Sequence, residues 1–158
     1  MNINIISVGK IKEKYFTAAI DEYSKRLSRF VKLNIIEVAD EKIPDNASEK
    51  EMEQIKEKEG IKILSKLPQS SYVVTLCIEG KEHSSEELAK KIADISMTSS
   101  NITFIIGGSL GLSDTVKAKS DMRLSFGRMT LPHQLMRVVL LEQIYRSFKI
   151  NNNESYHK

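Results

Sequence analysis

Two glycine-containing loops in the last third of the chain have the residue types of a ligand-binding site. The first, Gly107-Gly108-Ser109-Leu110-Gly111, follows a short apolar run, and the second, Gly127 to Pro132, follows another. Glycines at the end of a strand leave backbone amides open to a ligand, because no side chain shields them. Two such loops side by side would form a pocket with a backbone floor, which indicates a cofactor.

Neither loop matches a common nucleotide-binding motif. The first lacks the G-x-G-x-x-G spacing of a dinucleotide fold, with its acidic residue about 20 positions later, and it also lacks the Gly-Lys-Ser/Thr of a P-loop. Taken alone, it fits a structural turn as well as a ligand loop. Its weight as a candidate site therefore comes from the second loop.

Other candidate chemical groups lie on the last helix and the tail. His133 falls in the first helical turn, where a neutral imidazole is preferred over a charged one. Arg146 fits a salt bridge or a phosphate contact. The tail, Tyr156-His157-Lys158, offers an aromatic ring, an imidazole and a cation, or is simply a frayed terminus. With no metal-ligand spacing and no nucleophilic triad, any chemistry must come from a reactive cofactor and from positioning.

The elements that would position these groups alternate along the chain. Apolar runs predict five strands over residues 2–9, 33–38, 72–78, 101–106 and 122–126. Helical spacing and Ser caps predict helices over about 12–29, 49–66, 84–97, 113–119 and 134–150. This order is typical of one α/β domain over residues 1–158, with a mainly parallel sheet and helices on both faces. Such sheets bind ligands at the carboxyl ends of their strands, where both loops fall.

Three local interpretations complete this outline. Cys77, the single cysteine, is expected to be a buried strand residue, and one cysteine fits a reducing cytoplasm. The heavily charged helix 49–66 is interpreted as a solvated face, and Gly60 should weaken its middle by about 1 kcal/mol relative to alanine. Without a signal peptide or an apolar run of about 20 residues, we expect a cytoplasmic protein that does not enter a membrane.

The terminal helix is too apolar for a helix with one wet face. Either it is buried inside the domain, or its second face meets another subunit. Because a single small sheet covers only one side of a helix, we favour a homodimer built on this helix. Charge is also concentrated here: residues 115–158 carry 8 Lys or Arg and 3 Asp or Glu, against 16 and 18 in residues 1–114. Such a bias fits a phosphate-rich partner or an ordinary solvated surface.

In order along the chain, several short motifs together resemble one known family. It is the bacterial large-subunit ribosomal RNA methyltransferase H family, small members of the SPOUT class of knotted methyltransferases that use S-adenosylmethionine. The resemblance covers essentially the whole chain. Its motifs are Ile6-Ser7-Val8-Gly9-Lys10, Val74-Thr75-Leu76, Ile106-Gly107-Gly108-x-x-Gly111-Leu112, Leu124-Ser125, Met129-Thr130-Leu131-Pro132-His133, Tyr145-Arg146 and Tyr156-His157-Lys158. Leu110 departs from the pattern, since relatives often have a polar residue between these glycines.

The resemblance implies a C-terminal trefoil knot, a homodimer and methylation of N3 of a pseudouridine in 23S rRNA of the assembled ribosome. It also implies that S-adenosylmethionine contacts Leu76, Gly107, Phe126, Gly127, Arg128, Met129, Thr130 and Leu131. Arg146, Tyr156 and His157 match positions linked to substrate engagement or catalysis. We expect His157 to assist proton removal, Tyr156 to stack on or orient the base, and Arg146 to hold phosphate, in a flexible tail that assembles on RNA.

Two rival functions stay open at this point. The first is a non-catalytic ribosome or RNA-binding factor with the same fold and a vestigial cofactor pocket. The second is a small-molecule nucleotide-binding enzyme, whose binding would lack the steep salt dependence of a polyanion partner. The missing nucleotide motifs count against the second rival.

Overall fold

All five strands form one parallel sheet in the computed structural model, which describes residues 1–158. Their spatial order is β2-β1-β4-β3-β5, and every neighbouring pair is parallel. The strands are β1 Asn2–Val8, β2 Lys32–Val38, β3 Tyr72–Glu82, β4 Asn101–Ile106 and β5 Met122–Ser125. The predicted parallel α/β architecture is confirmed.

The helices cover both faces of this sheet, as predicted. They are α1 Lys14–Leu27, α2 Glu49–Ser65, α3 Ser85–Ser96, α4 Asp114–Ala118 and α5 His133–Asn151. One face carries α1, α3 and α5 over the larger core, in which Ile5, Phe104 and Leu140 are almost fully buried. The other face carries α2 and α4 over a smaller core that includes Ile6 and Ile105. Each central strand therefore feeds alternate side chains into two cores, as a sheet buried on both sides requires.

Serine caps begin three of the helices, as the sequence predicted. Ser48 Oγ accepts a hydrogen bond from the Glu51 backbone N–H, and the Ser48 backbone N–H donates to Glu51 Oε1, which completes a capping box. Ser84 and Ser113 cap α3 and α4 in the same manner, without the return bond. Each cap satisfies an N–H group that the first helical turn leaves without a partner.

Strand β3 is longer than predicted and contains a bulge. Leu76 and Lys81 both pair with Leu124 of β5, so residues 77–80 loop out of the ladder between them. A Cβ atom at Gly80 would lie 2.8 Å from the Arg123 carbonyl group, so only glycine lets the two strands approach at this point. The apolar run in the sequence predicted a strand up to Ile78. The strand continues to Glu82 because it pairs with β5.

The path of the last third brings α5 back over the larger core. From β4 the chain passes over β3 to reach β5, and α5 then returns to pack against α1 and α3. The trefoil knot implied by the resemblance stays a prediction. None of the helices, α5 included, combines the length and the hydropathy that a membrane span requires.

A buried arginine fastens α5 to the first strand. The Arg137 side chain is almost fully buried, and its guanidinium donates to the carbonyl oxygens of Val8 at 3.0 Å and Gly9 at 2.7 Å. It also pairs with Glu37 Oε2 of β2 at 2.6 Å. The beginning of the last helix is therefore locked onto the carboxyl ends of β1 and β2.

Gly60 has a packing role that its sequence position did not reveal. It lies in α2 where that helix crosses α4, and a Cβ atom there would lie 2.8 Å from Ser113 Oγ and 3.0 Å from a Val116 methyl group. Besides the predicted cost in helix propensity, Gly60 therefore has a packing role, because the missing side chain makes room for the capping serine of α4.

We predict that Gly60→Ala destabilises the protein by about 1–2 kcal/mol, although alanine is the better helix former. Overpacking and a disturbed Ser113 cap outweigh the gain of about 1 kcal/mol in helix propensity. Urea unfolding of the single variants and of Gly60→Ala/Ser113→Ala measures the effect. Without Ser113 Oγ the alanine side chain has more room, so the double variant should lose less unfolding free energy than the two single variants lose together. Strictly additive losses would contradict this account.

Candidate functional site

A cavity of about 670 Å³ opens at the carboxyl edge of the sheet, beside the first turn of α5. We call it the edge cavity. Its wall is built from the ends of β3, β4 and β5 and the loops that follow them. Of the residues predicted to contact a cofactor, the following line it: Leu76, Gly107, Phe126, Gly127, Met129, Thr130 and Leu131. Arg128, predicted with them, is exposed and lies outside the lining.

Backbone forms one side of the edge cavity because the first glycine loop folds tightly on itself. A Cβ atom at Gly107 would lie 2.7 Å from the Gly111 carbonyl carbon, so no other residue fits there without moving the loop. Gly111 has a φ of 85°, which favours glycine, and its N–H donates to the Gly108 carbonyl oxygen at 3.0 Å. Leu110 is half-buried in the lining, so an apolar side chain occupies this position without disturbing the turn.

The second loop is held against the bulge of β3. Ser125 Oγ donates to the Ile78 carbonyl oxygen at 2.9 Å and accepts from the Gly127 N–H at 3.1 Å. Gly127 itself has a φ of 117°, a conformation that few other residues tolerate. One hydroxyl group thus joins two walls of the edge cavity.

Sequence reasoning missed several side chains of the wall. Cys77 was expected to be buried in a strand, but the bulge carries it into the lining, where it is half-buried. Burial still raises the pKa of its thiol, so the group stays protonated. Lys117 also lines the cavity and pairs with Glu79 of the bulge, and this contact lowers the pKa of the Glu79 carboxyl group.

Not all the charged residues of α2 face solvent, contrary to the interpretation from the sequence. Lys56 lines the edge cavity, and Glu59 is only 5% exposed. Glu59 Oε2 accepts the Glu41 N–H at 3.0 Å, and Oε1 lies 3.4 Å from the position that a Cβ atom would take at Gly108. Burial raises the pKa of the Glu59 carboxyl group. The signal was available, since Glu59 falls on the same helical face as Ile55 and Ile63.

His133 lines the edge cavity at the beginning of α5. Its Nε2 atom lies close to Gly9, at 3.8 Å from the position of a Cβ atom there. Burial, together with the charge of Arg137, lowers the pKa of the imidazole. The wall at this point is therefore a neutral ring that can exchange hydrogen bonds without adding a positive charge.

The C-terminal tail is folded back onto α5 rather than frayed. Arg146 donates to Glu142 Oε1 from Nε at 3.0 Å and from Nη2 at 2.6 Å. The Arg146 guanidinium lies 4.7 Å from the centre of the Tyr156 ring, and the Tyr156 hydroxyl group donates to the same Glu142 oxygen at 3.2 Å. Tyr145 packs edge-on against Tyr156 at 5.0 Å. These contacts explain why a polar tail is ordered.

His157 bridges two helices within this tail cluster, which comprises Glu86, Glu142, Arg146, Tyr156 and His157. Its Nδ1 faces Arg146 Nη1 at 3.1 Å, and its Nε2 faces Glu86 Oε1 at 2.7 Å. Because a guanidinium only donates, Nδ1 must accept, so Nε2 carries the hydrogen that Glu86 receives. Burial and the neighbouring Glu142 raise the pKa of Tyr156 to about 12, so its phenol stays protonated at neutral pH.

The tail cluster and the edge cavity lie far apart in one chain. Arg146, Tyr156 and His157 are all absent from the cavity lining. His133 and Arg146 are both on α5, and 13 residues at 1.5 Å per residue separate them by about 20 Å along its axis. The residues within each predicted group therefore lie close together, but the two groups are far from each other in a single chain.

The outer face of α5 carries apolar residues that the core does not use. Leu135, Val138 and Val139 are half-buried and belong to neither core, whereas Met136, Tyr145 and Phe148 pack against the larger one. Positions 135, 138, 139, 142 and 146 share one helical face, so this apolar stripe leads to Glu142 and Arg146. No residue from His133 to Ile150 is fully exposed.

Comparison with known proteins gives a consistent result. Residues 1–157 match the family model described as a predicted SPOUT methyltransferase. The chain is 62% identical to the ribosomal RNA large subunit methyltransferase H of Clostridioides difficile strain 630 and 61% identical to that of Clostridium novyi strain NT, with complete coverage of all these chains. A methylase family protein from Haemophilus influenzae Rd KW20 shares the fold with a TM-score of 0.54 at 14% identity, over 99% of this chain and 70% of that chain.

We predict that Glu142→Gln loosens the tail. The amide keeps the shape of the side chain but loses the charge-assisted bonds from Arg146, so amide hydrogen exchange in residues 152–158 should rise by about tenfold. Hydrogen-exchange mass spectrometry measures this change. Glu22→Gln is the matched control, because it removes an exposed partner at the same i,i+4 spacing from Arg26. Equal exchange in the two variants would show that Glu142 does not hold the tail.

Proposed function

The chain belongs to the SPOUT methyltransferase family, and we propose that it transfers a methyl group from S-adenosylmethionine to N3 of a pseudouridine in 23S rRNA of the assembled ribosome. The observation that carries this proposal is the edge cavity, with its backbone side at the carboxyl ends of parallel strands. The names of the clostridial relatives support ribosomal RNA as the substrate class.

The edge cavity fits a cofactor of this kind. Its volume of about 670 Å³ is within the range of about 300–1,000 Å³ typical of small-molecule sites. The glycine loop and residues 126, 127 and 129–131 offer backbone polar groups for a nucleoside and an amino-acid group, and Leu76, Leu110 and Leu112 offer apolar contact. The neutral His133 ring suits a ligand with a positively charged sulfonium group. When bound, S-adenosylmethionine supplies an already activated methyl group.

In this proposal, the tail residues remove the proton from the RNA base and position the base. N3 must lose a proton before it can attack, and His157 is the proposed acceptor of that proton. Its Nδ1 lone pair faces Arg146 and its Nε2 hydrogen faces Glu86, so His157 must leave Arg146 before Nδ1 can accept a proton. Tyr156, kept protonated by its raised pKa, stacks on or orients the base, while Arg146 holds phosphate. These roles require the tail to rearrange when RNA binds.

A homodimer through α5 would bring the two groups of residues together. The distance of about 20 Å along α5 separates the tail cluster from the cavity of its own chain. The stripe of Leu135, Val138 and Val139 on the outer face supports contact with a second copy. We therefore propose that the tail of each subunit completes the edge cavity of the other.

The assembled ribosome is a partner that suits a small enzyme. A chain of 158 residues has little surface for RNA recognition, so a preformed ribosomal pocket would supply much of the specificity. The proposed action on ribosomes also agrees with the expected cytoplasmic location.

We predict that the protein transfers labelled methyl from S-adenosylmethionine to whole ribosomes, but not to free subunits or naked ribosomal RNA. Scintillation counting and mass-spectrometric mapping should place the label on N3 of one pseudouridine of 23S rRNA. Calorimetry with S-adenosylmethionine provides the control for cofactor binding. Binding without transfer to any of the three substrates would instead support the non-catalytic ribosome-binding factor.

A complementation experiment tests the shared site. Gly107→Val should prevent cofactor binding, because its side chain would overlap Gly111, and a chain lacking Tyr156 to Lys158 should bind cofactor without turnover. Heterodimers of these two chains, isolated through two affinity tags, contain one intact site and should regain about half of the wild-type rate. Full turnover by the truncated chain alone would exclude the tail from catalysis, and inactive heterodimers would exclude a shared site.

A further inference from the structure

The loop from Gly9 to Lys14, which leads from β1 into α1, presents a group of cations that form no salt bridge within the chain. We call it the lysine loop. Lys10, Lys12 and Lys14 are all exposed, and none of them forms a salt bridge, although lysines such as Lys62 and Lys117 elsewhere in the chain do. Ile11, between the first two, is half-buried. The three lysines are therefore free to meet an external anion.

These lysines do not stabilise the helix that follows them. Cations near a helix N-terminus oppose the helix dipole, and α1 has no acidic residue in its first turn and no side-chain cap. By contrast, α2, α3 and α4 each begin with a serine cap and at least one acidic residue. Like α1, α5 begins without a side-chain cap or an acidic first turn. The three lysines thus gain nothing from the dipole of α1, and they form no ion pair within the fold.

The backbone of the lysine loop is held in place beside the edge cavity. The Ile11 N–H donates to Glu37 Oε2 at 3.2 Å, and the Lys12 N–H donates to Gln134 Oε1 of α5 at 3.3 Å. Arg137 binds the carbonyl oxygens of Val8 and Gly9 directly before the loop. A loop whose backbone is held at its beginning and middle displays its charges with less loss of backbone entropy on binding.

Arg128 adds a cation on the other side of the first turn of α5. It is exposed, forms no salt bridge and lies outside the cavity lining, although its neighbours Gly127 and Met129 line the cavity. Gly9 lies next to His133, so the lysine loop begins beside the first residue of α5, five residues after Arg128 in the chain. Three acidic residues lie at this surface. They are Glu13 within the loop, Glu37, whose Oε2 accepts the Ile11 N–H, and Asp40, whose charge acts on His133.

We propose that Lys10, Lys12, Lys14 and Arg128 form the surface that binds the phosphate backbone of the substrate RNA next to the edge cavity. The proposal rests on the proposed function, which makes RNA the partner at this edge. Four cations against two carboxylates leave an excess positive charge, and Arg137 neutralises Glu37 beneath them. Contacts of this kind orient a nucleic acid without reading its sequence, which leaves the choice of base to the catalytic residues.

The test measures the salt dependence of binding to purified 70S ribosomes. Each lost phosphate contact lowers the slope of log affinity against log salt by about 0.7–0.9, so Lys10→Gln/Lys12→Gln/Lys14→Gln should lower it by about 2–3. Fluorescence anisotropy of labelled protein over a series of KCl concentrations gives the slope. Binding of S-adenosylmethionine, measured by calorimetry, should not change, because none of these lysines lines the cavity.

The matched control is Lys25→Gln/Lys32→Gln/Lys66→Gln. These lysines are also exposed and form no salt bridge, but they lie at the opposite, amino end of the strands. The control should keep the wild-type slope. Equal slopes for the two triple variants, or wild-type affinity in the lysine-loop variant, would overturn the inference even if methyl transfer to 23S rRNA is established. A lower slope without methyl transfer would uphold the surface while the proposed reaction fails.

Discussion

The buried ion pair and hydrogen bonds of Arg137 are the interaction on which the site depends. A buried guanidinium needs partners for its charge, and here Glu37 binds Nη1 while the carbonyl oxygens of Val8 and Gly9 bind Nη2. Its Nε is buried without a hydrogen-bond partner. The partners lie at the carboxyl ends of the first two strands, whereas Arg137 belongs to the last helix. One residue therefore fixes the end of the chain to its beginning, and it fixes His133, the cavity wall and the lysine loop with it.

The rigidity of α5 has a consequence for function. The same helix forms the cavity wall at its first turn and carries Arg146 and the folded tail more than three turns later. Since a helix does not shorten, small movements of the tail cannot carry His157 to the cavity of its own chain. In the proposed dimer, a second copy with its α5 packed against the apolar stripe of Leu135, Val138 and Val139 would present its tail at this site.

Features that depend on local sequence were predictable, and features that depend on distant partners were not. The strands, the serine caps of α2, α3 and α4, and the tight turn at Gly107 each follow from a few adjacent residues. The bulge at residues 77–80 depends on pairing with β5, and the ordered tail depends on Glu86 and Glu142. The helical face of Glu59 is readable from the sequence, but its contacts with the Glu41 amide and with the backbone at Gly108 depend on the fold. The expected roles of individual site residues came from the family resemblance, because contacts within the chain do not assign such roles.

The backbone side of the edge cavity also explains why the chain shows no catalytic signature of the usual kind. Where glycine loops shape the pocket, ligand recognition depends on amide and carbonyl groups, and these leave little trace in sequence beyond the glycines themselves. Such a pocket can hold a reactive cofactor but offers few side chains to choose a macromolecular substrate. That selection then falls to groups outside the cavity, namely the exposed cations around the first turn of α5 and the tail. In the proposed function, a chain of 158 residues would bind its cofactor through a pocket shaped by backbone and select its RNA substrate through charged residues around that pocket.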